Sequence, residues 1–442
     1  MTDAATNASP PGRSDASDTI RRPRVAFVVQ RCGKEVNGGA ELHCRLIAER
    51  MVRHWDVEVL ITCVLDYMTW ANHFPEGVEE FAGVQIRRFR VDQPRDVHAF
   101  NALSADLHRS PTGATLEQQE TWMRAQGPVA TALIDHIKNA RDAYDLFIFF
   151  GYLYAQTYFG LPAVAEKAIL LPLAHDEWTI HLPMWDGFFE SPVRFIFNSE
   201  EELAFLKRRF PRAGLEGEIV GIGISHTANS DPWRFRAKAG VHQPYLLYVG
   251  RIDPSKGCET LFKWFLRAKR TSALPHKLVL IGKPVMHIPD HPDIVHLGFV
   301  DDQLKFDALA GCDWALMPSP FESLSFVVLE AWMAARPVLV NGACEVLVGQ
   351  CRRSQGGVWV TSYEEWAAAI QMTTSDEKSQ LGLQGQVYIR RHYTWERVDA
   401  GYMHALESVL QASAETNPSA LRPMDSSVSS PLGTGRSAGS EG

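Results

Sequence analysis

Short, largely apolar runs, separated by longer amphipathic stretches, constrain this chain more than any other feature. The first half holds "RVAFVVQ", "DVEVLIT", "DLFIFFG", "AILLPLA" and "RFIFNS"; the second holds "PYLLYVG", "KLVLIG", "DIVHLG", "WALMPS" and "RPVLVN". A strand that is apolar on both faces must be covered on both faces, and a parallel sheet between two helix layers does this. Amphipathic segments such as "LHCRLIAERMVRH" and "KGCETLFKWFLRAKR" supply the cover. The polar stretch "ISHTANSDPWRFRAKAGVHQ" divides the two series, and a chain of 442 residues is long for one core. The expected fold class is therefore α/β, with two Rossmann-like domains facing across a cleft. The boundaries fall at 22–225 for the first domain and 226–390 for the second. Residues 1–21 and 413–442, rich in Ser, Gly, Pro, Ala and Thr, read as disordered tails.

Composition narrows the function classes. A formal net charge of −8 argues against a nucleic-acid partner, which would call for a basic face. The seven cysteines are scattered and form no C-x-x-C pair, which favours reduced thiols in a cytoplasmic protein over disulfides or a zinc site. No apolar signal segment opens the chain. Residues 146–165 are uncharged over twenty positions, but two glycines, a proline and a Gln-Thr pair split them into a strand, a loop and a helix rather than a membrane span.

In such sheets ligands sit beyond the carboxyl ends of the strands. After "YLLYVG" come Arg251 and, five residues on, Lys256 before a helix. Two cations beside a helix N-terminus suit a diphosphate; alone, they equally suit a surface turn. After "WALMPS" comes "PFESLSFVVLEAW", with Glu322 and Glu330 eight residues apart. At about 1.5 Å per residue they stand roughly 12 Å apart, too far for the paired carboxylates of a retaining glycosidase at about 5 Å. They fit the two ends of an extended ligand such as a nucleotide sugar, with the amides of Ser325 and Phe326 facing the same cleft. The other reading of Glu330 is an ion pair with a neighbouring Lys or Arg.

In their order and spacing, "YVGRIDPSKG", "LVLIG", "HLGFVDD", "DWALMPSPFESLSFVVLEAW" and "RPVLVN" resemble the C-terminal half of retaining GT-B glycosyltransferases of family 4, which includes sucrose-phosphate synthases and mannosyltransferases. Glu322 and Glu330 match that family's E-x7-E signature. The likeness is strong over residues 245–345 and looser before them. It implies that Arg251 and Lys256 bind the donor diphosphate, Glu322 the sugar and Glu330 the ribose. Gly282, Ser323, Leu324, Ser325 and Phe326 join them as donor-binding positions, and Ser325 stands where Gly is usual. In the first half "VNGGAE" resembles the family's Gly-rich loop, with Gly38 and Gly39 allowing close approach of a ligand, although an isolated Gly-Gly also serves as a plain turn. His175 and Asp176 in "LLPLAHDEW" resemble the family's histidine facing donor sugar and acceptor; a loop-capping His is the plainer account. A helix at 391–412 would cross back to the first domain.

The resemblance further implies a metal-independent reaction. Its co-substrate would be a UDP- or GDP-linked sugar, and its acceptor a glycan, a lipid-linked glycan or a small molecule. Lys207, Arg208 and Arg209 in "NSEEELAFLKRRF" leave a peripheral membrane contact open, although a capping box at Ser199 and Glu202 and the helix dipole account for this segment as an ordinary helix. A nucleotide-sugar epimerase and a non-catalytic nucleotide-sugar scaffold are the rival functions.

Overall fold

A computed structural model describes residues 22–36, 38–225 and 229–416. The first sheet comprises β1 (Arg24–Val28), β2 (Asp56–Thr62), β3 (Gly77–Phe81), β4 (Val84–Phe89), β5 (Leu146–Phe150), β6 (Ala168–Leu171), β7 (Arg194–Phe197) and β8 (Gly217–Ile219). Their order is β3-β4-β2-β1-β5-β6-β7-β8. Every neighbouring pair is parallel except the β3–β4 edge hairpin. The second sheet comprises β9 (Tyr245–Val249), β10 (Lys277–Ile281), β11 (Ile294–His296), β12 (Trp314–Met317), β13 (Val338–Asn341) and β14 (Gly357–Val360), all parallel, in the order β11-β10-β9-β12-β13-β14. β5 and β9 are buried throughout, as expected of strands covered by helices on both faces.

Five features depart from the sequence reading. The β3–β4 hairpin alternates charged and apolar residues at a sheet edge, and β8 spans only three residues. The segment after Gly349, where no apolar run stands out as a strand, contains β14, a four-residue strand too short to show a period. The polar divider contains a helix, Pro232–Ala239, capped by Asp231. The last helix runs from Trp395 to Thr416, so the first residues assigned to the second tail are helical.

Two glycines seat the helix Ser375–His392 on the second domain. A Cβ at Gly382 would lie 2.1 Å from the Ala335 carbonyl oxygen, and one at Gly385 2.1 Å from the Trp332 ring. After a turn at Tyr393 the helix Trp395–Thr416 lies on the first domain. Val398, Tyr402, Ala405, Leu406 and Val409, at helical spacing, are buried in one core with Cys44, Ile47 and Met51. Arg50 Nε donates to Asp399 Oδ1 at 2.6 Å, and Tyr402 Oη meets His43 Nε2 at 2.9 Å.

The domains also touch beside the cleft. Arg353, on the helix Glu345–Ser354, grips Glu201, on the helix Glu200–Arg209, with 3.0 Å between Nη2 and Oε2. Arg208 reaches Glu345 at 3.1 Å, and a Cβ on Gly349 would fall 1.7 Å from the Glu201 carboxylate. No helix among the described residues is long and apolar enough to cross a membrane; residues 146–165 form β5, the short helix Ala155–Gly160 and a 3-10 segment.

Candidate active site

Each sheet reverses its strand order once, at β1/β5 and at β9/β12. At such a point neighbouring loops part and leave a crevice. The loop after β9 carries Arg251 and Lys256, and the loop after β12 carries Glu322.

Asp253 organises the first of these loops. Its Oδ1 accepts from the Ser255 amide at 2.8 Å and starts a one-turn 3-10 helix, Pro254–Lys256. Its other oxygen lies 2.8 Å from Arg251 Nε. Gly257, at φ +74, ends the turn and opens the helix Cys258–Thr271. A Cβ there would lie 2.2 Å from the Pro318 carbonyl oxygen, so only glycine lets the two loops meet backbone to backbone. That contact sets the Lys256 ammonium 2.8 Å from Glu322 Oε1.

Ser325 caps the helix Phe326–Met333, its Oγ accepting from the Val328 amide at 3.4 Å. The first-turn amides of Phe326 and Val327 lack helical carbonyl partners. Glu330 lies one turn deeper and is 7% exposed. Of its two readings the ion pair is present: Lys305, on the helix Asp302–Gly311, reaches it at 2.7 Å and Asp302 at 3.1 Å. Burial pushes the Glu330 carboxyl up, with Lys305 opposing. Burial also opposes the Lys305 charge, but Glu330 and Asp302 more than restore it and hold that ammonium above its usual value. Gly282 serves backbone packing, since a Cβ at its φ of +137 would meet the Gly250 carbonyl at 2.0 Å.

The first domain meets these loops with rings and amides. The His175 ring stacks on Phe321 (centroids 5.4 Å apart, planes 21° apart). Asp176 turns away to His181 at 2.6 Å and is exposed. Asn198 Nδ2 donates to Ser323 Oγ at 3.4 Å, and the Arg251 guanidinium lies 5.3 Å from the centre of the Tyr67 ring. His43 packs edge-on against Phe326. Burial lowers the His43 pKa to about 3, against a hydrogen bond to the Gly221 backbone.

Gly38 is explained by its own chain, since a Cβ would fall 2.1 Å from the Glu41 carboxylate. That carboxylate is held by Arg31, with Nε 3.0 Å away. Gly39 opens the helix Gly39–Met51 with free space around it, and Asn37 lies outside the described residues. The structure thus gathers Arg251, Lys256, Glu322, Ser323, Ser325 and His175 around one crevice. It leaves Asp176 aside and engages Glu330 and Gly38 with partners of their own. Tyr67, Asn198, Phe321, His43 and Lys305 escaped the sequence reading, although "PFES" and "NSEE" contain two of them. Two of the basic-segment cations are engaged within the protein, Arg208 by Glu345 and Arg209 by Asp186 at 2.8 Å.

Two Rossmann-like domains with facing switch-point crevices define the GT-B fold of glycosyltransferases. Residues 243–376 match the family model described as "Glycosyl transferases group 1". An uncharacterized glycosyltransferase of Methanocaldococcus jannaschii is 23% identical over 377 residues, 76% of this chain and 85% of the relative. Among solved structures, sucrose-phosphate synthase from Thermosynechococcus elongatus matches with a TM-score of 0.66 at 17% identity, over 89% of this chain and 100% of its own. Anabaena HepE, solved with UDP and glucose, matches with a TM-score of 0.59 at 16% identity, over 89% of this chain and 99% of its own. At these identities the structural likeness is one of fold.

Proposed function

We propose that the chain is a retaining, metal-independent glycosyltransferase of family 4. It would move a sugar from a UDP- or GDP-linked donor to a hydroxyl of a glycan, lipid-linked or small-molecule acceptor, in cytoplasmic assembly of a glycan or surface polysaccharide. The observation that carries this reading is the Arg251 and Lys256 pair at the β9 switch point, with Lys256 bonded to Glu322. Such a bond is a replaceable one. An entering diphosphate takes the place of the carboxylate on Lys256, and Glu322 turns to the hydroxyls of the donor sugar. As the bond from the anomeric carbon to the diphosphate oxygen breaks, its electron pair leaves with the diphosphate, whose growing charge Arg251 and Lys256 stabilise; the acceptor hydroxyl oxygen bonds to the anomeric carbon on the same face, and its proton passes to the leaving diphosphate. His175, braced on Phe321, hydrogen-bonds a sugar hydroxyl, and Glu330 shares its charge between Lys305 and the ribose. The two cations supply the neutralisation a metal would otherwise bring.

The test is a thermal-shift titration with UDP, GDP, ADP and their sugar conjugates, with EDTA present, on the wild type and Arg251→Ala. A nucleoside diphosphate at 100 times its dissociation constant is expected to stabilise the wild type by about 2.7 kcal/mol, and the shift should fade in the variant. No response to any nucleotide would overturn the reading.

A further inference from the structure

β6 and β7 pair only at Ile169–Arg194 and Leu170–Phe195 before they split. Beyond the split each strand feeds a residue that touches the donor-side loop: His175 against Phe321, and Asn198 against Ser323. One buried side chain fills the gap between them. Glu202, 1% exposed, accepts from the Ala174 amide through Oε1 and from the Asn198 amide through Oε2, each at 2.7 Å. The backbone it holds is strained, since Leu173 sits at φ +54, a region that side chains with a Cβ rarely adopt.

We infer that Glu202 is a positioning residue: its carboxylate replaces the missing strand ladder, holds the His175 loop and Asn198 in one register, and so sets the wall the donor sugar meets. This rests on the donor reading given above. The alternative is a carboxylate that merely stabilises the fold. That role alone would not call for a strained loop next to His175, which stacks on Phe321 of the donor-side loop. Burial pushes the Glu202 carboxyl up, while the amides of Asn198, Ala174 and Leu173 oppose that rise and favour the ionised form. Amide donors on both oxygens are the partners of an ionised group, and a neutral amide in its place would set an N–H against an N–H.

The experiment compares affinities for UDP and UDP-glucose, with GDP and GDP-mannose in parallel, by calorimetric titration. Glu202→Gln is made first, because Glu202→Ala leaves two amides buried without an acceptor. Glu202→Asp, which keeps the charge but withdraws it by one methylene, is the second variant. Both are expected to bind the free diphosphate within about twofold of wild type and to lose about tenfold in affinity for the sugar conjugate. His175→Ala should lose the same, and the double variant Glu202→Gln/His175→Ala should lose no more than either single one, as two residues acting through one contact do. An unchanged preference for the sugar conjugate in folded Glu202 variants overturns the inference, whatever their melting temperatures, as does full additivity with His175→Ala. A wild type that binds none of the four ligands overturns the donor reading itself, and this inference with it.

Discussion

The two walls of the crevice are built from different materials. On the second domain the charges come ready paired, Lys256 with Glu322 and Lys305 with Glu330, each pair joining residues from separate loops or helices. On the first domain the wall is made of rings and amides, namely Tyr67, His175 and Asn198, and its buried carboxylates, Glu41 and Glu202, face inward to hold backbone or a neighbouring arginine. One wall is set to exchange partners with an anion, while the other is set to keep its shape. Electrostatics should therefore govern the second domain and packing the first.

Lys305→Met tests this with the largest expected effect. It strands Glu330 at 7% exposure, and breaking a buried pair costs about 3–5 kcal/mol. Urea unfolding should show that loss, and Lys305→Met combined with Glu330→Leu should recover most of it. Acid should next separate the domains. His43 in the first domain titrates at about 3 when folded and 6.5 when unfolded. The unfolded chain therefore takes up a proton that the folded one refuses. Stability is full above pH 6.5 and falls by ~1.4 kcal/mol per pH unit towards 3. Asp313 in the second domain is held at about 2, below 3.8, by His276 and Lys378 against burial. Its contribution, roughly 2 kcal/mol, is full above pH 4 and is lost only below it. Stability curves against pH should flatten between about 6.5 and 3 for His43→Gln and between about 4 and 2 for Asp313→Asn, the two windows overlapping only near pH 3–4. The smallest effect belongs to the bridge between the domains. Arg353→Met should cost about 1 kcal/mol at low salt and less at high salt, measured by denaturation at two ionic strengths.

The same contrast explains what could be read from the chain. Five of the six strands of the second sheet announce themselves as apolar runs, and Arg251, Lys256 and Glu322 follow strand ends at short range, so their convergence is legible. The first domain's wall is not. Phe321 and His175 lie far apart in the chain, Tyr67 follows β2 in an unremarkable loop, and Glu202 has the credentials of an ordinary capping-box residue. Nothing local distinguishes a glutamate that completes a helix cap from one whose carboxylate ties two strands together. β3, β4 and β14 were hidden for a simpler reason: edge strands are short or half-polar, and a period of two needs several residues to be seen.

The helix Trp395–Thr416 carries a consequence for how the molecule is made. Its Tyr402, Leu406 and Val409 are buried in the same core as Cys44, Ile47 and Met51 of the first helix. During synthesis that first sheet emerges early, yet one flank stays uncovered until residue 409 has left the ribosome. Truncation before Trp395 should therefore leave the nascent first domain with exposed apolar surface around Ile47 and Met51, a substrate for chaperones rather than an independent enzyme half.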